Sequence, residues 1–346
     1  MSLQPAPLNW TTEEYASFGL VPHVGRHGYH EREMFSTERI VALLERHPRE
    51  RLQAFTMGED PTRRDEWRAV DIDPETSGAD LWRAVERGRL WLNVTRVDEH
   101  EAEYAELIGG MYAHLKANCP QLGEPRPNYS TLLISSPGAQ VYYHLDAEPN
   151  MLWHLGGRKR VWIYPAMDTR YASQEYLEDI YAGEVDENLP YDPAFDADAE
   201  EYLLEPGSVA SWPHNAPHRI VNLDMNVSLA TSYYTPNIYR RQYVQLANRF
   251  VLRGLGVRSR SMAERGVMPS LKRFAYRAAN RLRPFPRRDR SGTYVTDLQI
   301  DPDAPLGLRR LDSSRHASFS SSAGREPKVP TRASTAMSAS GSGLGA

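Results

Sequence analysis

The spacing of apolar residues changes character near residue 127. Before it, three segments repeat with the period of a helix. "FSTERIVALLERHP" (35–48) puts Ile40, Leu43 and Leu44 on one face, with Ser36 or Thr37 as a cap and Pro48 as a stop. "SGADLWRAVERG" (77–88) has capping-box spacing at Ser77 and Asp80 and ends at Gly88. "DEHEAEYAELIGGMYAHLKANCP" (98–120) aligns Tyr104, Leu107, Ile108, Met111, Tyr112 and Leu115, and Pro120 closes it. After 127 the runs are short and rich in Val, Ile, Leu, Tyr and Trp: "YSTLLIS", "AQVYYH", "NMLWHL", "KRVWIYP", "EYLLEP", "SVASWP", "HRIVN" and "NVSLATSYY". Pro137-Gly138, Gly156-Gly157, Pro206-Gly207 and Asn222 to Asp224 punctuate them. So many closely spaced strands predict a mainly β sandwich, barrel or jelly roll preceded by helices.

Other segments break this rhythm. Residues 1–35 read as an ordered, aromatic arm carrying His23, His27 and His30. An acidic insertion, 168–201, interrupts the strands; it reads as a solvated loop or as a surface recruiting a basic peptide or an amine. From 253 the chain turns basic. "PSLKRFAYRAANRLRPF" (269–285) predicts a helix with Leu271, Phe274, Ala275, Ala278 and Leu282 on one face, bordered by Lys272, Arg273, Arg277, Arg281 and Arg283. That helix suits a homodimer, contact with an anionic membrane surface over 269–290, or contact with nucleic acid. Beyond 312 the Ser, Ala, Gly and Arg composition predicts disorder. The expected division is an arm with supporting helices (1–126), a barrel (127–252), a basic helical extension (253–311) and a tail (312–346).

Composition narrows the class. Of 346 residues 40% are hydrophobic, enough for a sizeable core, and the net charge of -4 gives no general bias towards polyanions. The single cysteine, Cys119, excludes an internal disulfide framework and a cysteine-based zinc site, and suits a reducing compartment. No apolar run is long enough to span a membrane, and the N-terminus has no secretory pattern, so a cytoplasmic protein is expected.

The candidate chemistry lies in "YYHLDAEPNMLWHLGGRKRVWIYP" (142–165). His144 and Asp146, two apart on a strand, point to one face. An imidazole and a carboxylate inside a barrel carry a desolvation cost that a divalent cation offsets. Two histidines and one carboxylate with three open positions suit non-haem Fe(II). The second histidine must come from a later strand. His218 opens the apolar run Ile220-Val221 and is preferred; His214, in a Pro-bounded loop, is the alternative. Lys159 sits fifteen residues after His144 beside Trp162 and Ile163, either reaching to solvent or anchoring an anionic co-substrate.

These stretches, with "LEPGSVASWPHNAPHRIVN" and "NVSLATSYY", resemble the jumonji-C and cupin-like 2-oxoglutarate oxygenases, in pattern the asparaginyl-hydroxylase branch, over about residues 128–236. The resemblance implies a double-stranded β-helix with His144, Asp146 and His218 as Fe(II) ligands. It implies that Lys159 holds the distal carboxylate of 2-oxoglutarate, with Asn150 near that co-substrate. Tyr142 is expected on the face of His144, offering it a hydroxyl. The branch carries a threonine where this chain has Val141, so Tyr142, Ser228 or Ser232 are the expected replacements. The implied reaction hydroxylates a C–H bond of a protein, peptide or small molecule and releases succinate and carbon dioxide. Trp153, Trp162 and Trp212 are candidates for the wall of the site. A metal cupin that does not use 2-oxoglutarate and a non-catalytic barrel remain as alternatives.

Overall fold

The structure is a computed structural model that describes residues 8, 10–282, 284–285 and 292–319. Ahead of residue 127, strands β1 (His23–Arg26), β2 (Leu52–Thr56), β3 (Arg68–Val70) and β4 (Leu90–Thr95) alternate with helices α1 (Thr12–Ser17), α2 (Thr37–Arg46), α3 (Gly78–Arg87), α4 (Val97–His100) and α5 (Ala102–Asn118). The three helices expected here all form. Ser36 and Ser77 cap α2 and α3 by accepting from backbone N–H groups three residues on, each cap contributing about 1 kcal/mol. All six apolar side chains aligned on α5 are buried. The four strands are additional: the segment 1–126 extends the sheet as well as supporting it.

The eight expected strands follow as β5 (Arg126–Ser135), β6 (Gln140–His144), β7 (Asn150–Gly156), β8 (Lys159–Ile163), β9 (Glu200–Leu204), β10 (Ser208–Ser211), β11 (His218–Asn222) and β12 (Asn226–Tyr234). They divide between two antiparallel sheets, ordered β1-β10-β7-β12-β5-β4-β2-β3 and β6-β11-β8-β9. Alternation along each strand builds two layers of core. One face of the large sheet, with Leu132, Ile134, Met151, Trp153 and Leu229, packs on the helices. Its other face, with Leu152, Ala210 and Ala230, meets Val161, Ile163 and Ile220 of the small sheet. The candidate site lies in this second layer. Trp153 is therefore on the helix side, against His27 and Tyr29, and Trp162 stacks under the Arg219 guanidinium at 3.5 Å. Of the three proposed wall tryptophans only Trp212 faces the inner layer.

The acidic insertion is an ordered unit, paired with arginines from elsewhere in the chain, rather than a solvated loop. It contains α6 (Gln174–Ala182), and after β12 the chain continues through α7 (Pro236–Ala247) and α8 (Val267–Leu282). Glu178 of α6 is fully buried and pairs with the equally buried Arg260 at 2.9 Å. Asp179 takes Arg249 and Arg253, and Asp196 takes Arg219. The basic C-terminal segment thus partners much of the acidic one. The face of α8 that docks carries Pro269, Lys272 and Tyr276, not Leu271, Phe274 and Leu282, which stay exposed. A hairpin of β13 (Gly292–Ile300) and β14 (Leu308–Phe319) runs into the segment expected to be disordered from 312. Residues 320–346 and Arg283 lie outside the described residues, as do 1–7 and 9 of the expected arm.

Candidate metal centre

Strands β6 and β11 pair antiparallel with His144 directly opposite His218, and their ring centroids are 4.1 Å apart. Asp146 follows on the turn out of β6. Its Oδ1 lies 3.9 Å from His144 Nε2 and its Oδ2 lies 3.6 Å from His218 Nε2. One ligand atom from each residue falls within 4.8 Å of the others, the one such grouping of three among the described residues.

The tautomers follow from the partners. A carbonyl only accepts, so His144 Nδ1–H donates to the Tyr142 carbonyl at 2.8 Å and His218 Nδ1–H to the Ala216 carbonyl at 3.1 Å. Both Nε2 lone pairs therefore point at the gap beside Asp146. Burial pushes both histidines below the usual imidazole range, His218 well below it, with His144 adding to the effect. Burial also raises the Asp146 carboxyl well above the carboxylate range, reinforced by Glu187 and Glu148. Its Oδ2 has no hydrogen-bond partner. Two neutral imidazoles and an orphaned buried acid oxygen are a donor set that a divalent cation satisfies. The side chains of His144 and Asp146 remain 16% exposed, so the gap opens to solvent on one side.

Several neighbours hold this set, and of them the sequence pointed only to Trp212. Trp212 packs on the His218 ring at 4.3 Å. Asn215, in a left-handed conformation at φ 67°, donates to the Asp146 carbonyl at 3.2 Å. Tyr181 of α6 donates to Asn215 Oδ1 at 2.9 Å, linking the acidic insertion to the ligand loop. An Asn between two prolines in "PHNAPH" was the available signal for a left-handed turn. His214, the alternative ligand, points elsewhere: its Nε2–H donates to the Ala147 carbonyl at 2.8 Å, and burial lowers its pKa to about 3.

Lys159 enters the same inner layer from β8. The turn before it needs Gly157, whose φ is 74° and whose missing Cβ would lie 2.2 Å from the Met225 carbonyl. Lys159 is 2% exposed, and no carboxylate offsets its burial, which lowers its pKa to about 7. In the β8–β11 register Lys159 is opposite Asn222 and Ile163 is opposite His218. The lysine therefore starts roughly 13 Å along the strand from the triad. His154 is close enough for the ammonium to depress it; burial and Lys159 together lower its pKa to about 3. It is held neutral between the Ser228 hydroxyl (2.9 Å) and the Gly157 carbonyl (2.8 Å).

The remaining expected groups divide. Asn150 lies beside the Asp146 carboxyl and offsets part of its upward shift. The Ser232 hydroxyl is buried without a partner. Tyr142 does not share the face of His144. Between the pairs His218–His144 and Ile220–Val141, β6 spends three residues against two on β11. This bulge carries Val141 to the inner layer and turns the Tyr142 ring out towards Met57, Trp67 and Trp91. Only the Tyr142 carbonyl serves His144. Tyr142→Phe should therefore leave metal and co-substrate affinity within about twofold of wild type, and stability within about 0.5 kcal/mol, because the hydroxyl it removes has no partner. Titration of each ligand into the variant, with a denaturant melt, checks this.

Comparison with known proteins adds relatives of limited reach. No family model matches the chain. The tRNA wybutosine-synthesizing protein 5 of Danio rerio is 34% identical over 105 residues, which is 28% of this chain and 31% of that protein. The chain thus matches less than a third of that relative's length. Among solved structures, E. coli ycfD gives a TM-score of 0.48 at 16% identity, covering 81% of this chain and 71% of that one. Structures of this E. coli protein are described as those of a ribosomal oxygenase. The E. coli YcfD complex with cobalt and 2-oxoglutarate gives 0.45 at 16% identity over 81% and 70%. The complex with cobalt and succinic acid gives 0.43 at 17% over 81% and 69%. At such values these neighbours assign no activity to this chain.

Proposed function

We propose that the chain is an Fe(II)- and 2-oxoglutarate-dependent oxygenase, and that its two facing sheets form the double-stranded β-helix of that group. The observation that carries this reading is the convergence of His144 Nε2, His218 Nε2 and Asp146, whose Oδ2 has no partner, in the same layer as a buried Lys159 with no carboxylate offsetting its charge among the described residues. Iron held by the triad would activate dioxygen, one atom of which would go into succinate as 2-oxoglutarate loses carbon dioxide and the other into the substrate's C–H bond.

The chain's own residues do the rest. The Tyr142 and Ala216 carbonyls fix both imidazoles as neutral ligands. Asn150 and Trp212 lie beside the Asp146 carboxyl and favour its charged form. Lys159 pairs with the distal carboxylate of 2-oxoglutarate, and the keto acid end reaches the triad. His154 and Ser228 keep a second cation away from that ammonium, because the imidazole stays neutral. Val161, Ile163 and Ile220 line the span between them and exclude water. The substrate is a C–H bond of a protein, peptide or small molecule presented at the open side of the triad. A buried cysteine without a disulfide fits a cytoplasmic setting.

Succinate release from 2-oxoglutarate with Fe(II) and ascorbate tests the reading. Wild type should turn over, slowly even without its substrate, and His144→Ala should not. Lys159→Met should raise the KM for 2-oxoglutarate by roughly a hundredfold, the loss of a buried charge-assisted pair. The lysine must carry its proton to pair. Its pKa of about 7 in the free site makes 2-oxoglutarate affinity level below that pH and falling by about tenfold per pH unit above it. The Lys159→Met variant should lose this slope. Equal succinate from wild type and His144→Ala would sink the proposal.

A further inference from the structure

Helix α8 has two apolar faces, and only one of them is used. Pro269, Lys272 and Tyr276 point inward. The Lys272 ammonium donates to Asn248 Oδ1 (2.9 Å) and the Ser261 carbonyl (2.7 Å), and Tyr276 stacks with Phe250 and Phe285. These contacts fix the rotation of the helix. At 100° per residue, Val267, Leu271, Phe274, Ala278 and Leu282 then form a stripe centred about 160° from the docked face. The stripe is open to solvent: Val267 is 78%, Phe274 72% and Leu282 88% exposed. It runs about 24 Å along sixteen residues.

We infer that this face lies on an anionic lipid surface. Charge selects that occupant. Arg277 and Arg281 flank one edge of the stripe. Between 277 and 290 the sequence carries six arginines against one acid, Asp289. An apolar stripe edged by arginines, in a stretch of sequence rich in them, supplies the two signals that hold a helix in the plane of an anionic bilayer. The side chains enter the acyl boundary while the guanidinium groups stay among the headgroups. A second copy of the chain is the poorer occupant, because a two-fold contact would set these arginines against each other. A nucleic acid would use the cations and leave Val267, Leu271, Phe274 and Leu282 in water. No helix among the described residues is long and apolar enough to cross a membrane, so the contact is one of lying on the surface. The inference stands apart from the proposed chemistry, since none of these residues touches the metal centre.

Sedimentation of the full chain with vesicles tests it. Wild type should pellet with vesicles of phosphatidylcholine and 30% phosphatidylserine, and at least tenfold less with phosphatidylcholine alone or at high salt. Leu271→Asp/Phe274→Asp should abolish pelleting. Arg277→Gln/Arg281→Gln should weaken it about thirtyfold, from about fivefold per arginine. All four positions are exposed, so circular dichroism should not change in either variant, and losing Arg277 from over the Tyr243 ring at 4.6 Å should lower the melting temperature of the glutamine variant only slightly. The inference is overturned if wild type ignores anionic vesicles, or if the aspartate variant binds them equally well. It is equally overturned if light scattering shows a wild-type dimer that the aspartate variant dissociates. Binding to an RNA probe that outlasts the aspartate changes, without vesicle binding, also overturns it.

Discussion

His218→Ala should abolish 2-oxoglutarate turnover and weaken divalent-metal binding by more than roughly a hundredfold, a loss exceeding that of removing a hydrogen-bond partner of a ligand. The chain should remain folded, because the metal-free site gains nothing from this imidazole as a base. Asp146→Asn separates ligation from stability more sharply. In the metal-free protein the Asp146 carboxyl has its pKa raised by burial. Such a group contributes stability fully present below its unfolded pKa and lost as pH rises through the folded one. Near neutral pH the amide should therefore match or exceed the acid in metal-free stability, while metal ceases to raise its melting temperature. Isothermal titration with Mn(II) and melting with and without the ion check both statements. A metal-induced stabilisation that survives in Asp146→Asn would mean the ion binds elsewhere.

Glu178→Ala should be the most damaging change outside the metal centre, lowering unfolding free energy by about 3–5 kcal/mol. Glu178 is the fully buried partner of Arg260, whose own side chain is 5% exposed. Gln174 donates to the same carboxylate oxygen at 2.9 Å. Removing the acid leaves a buried guanidinium with only the Val257 and Arg258 carbonyls and the exposed Glu175 at 3.5 Å. Glu178→Gln keeps a hydrogen-bond acceptor and should cost less. Glu175→Ala removes a rim charge and should stay within about 1 kcal/mol of wild type. Urea melts at neutral pH distinguish the three. Because α6 also carries Tyr181 on the ligand loop, Glu178→Ala should loosen the site as well, seen as weaker metal binding than in Glu175→Ala.

The parts legible in the sequence were those with a local signature. Eight strands after 127 announced themselves through apolar runs and turn residues, and the HxD pair with its distant histidine reads directly across β6 and β11. The bulge in β6 left no mark: neither Val141 nor Tyr142 is a glycine or a turn former, so strict alternation put the wrong one inside. The orientation of α8 was equally hidden. Its sequence offers two apolar faces, and the less apolar one docks because Lys272 finds buried acceptors and Tyr276 finds aromatic neighbours. The acid–base match of Glu178 with Arg260 joins residues 82 apart in the chain, beyond any local pattern. Strand β4 was readable, since Leu90, Leu92 and Val94 alternate inward. β14 was not, because its Ser- and Arg-rich run takes its register from β13 alone.

The most direct test of the account is anaerobic titration of 2-oxoglutarate into the chain with and without Mn(II). The triad and Lys159 acting together predict one site, tight only when the metal is present and lost in Lys159→Met. Binding that ignores the metal, or that survives in Lys159→Met, would contradict it.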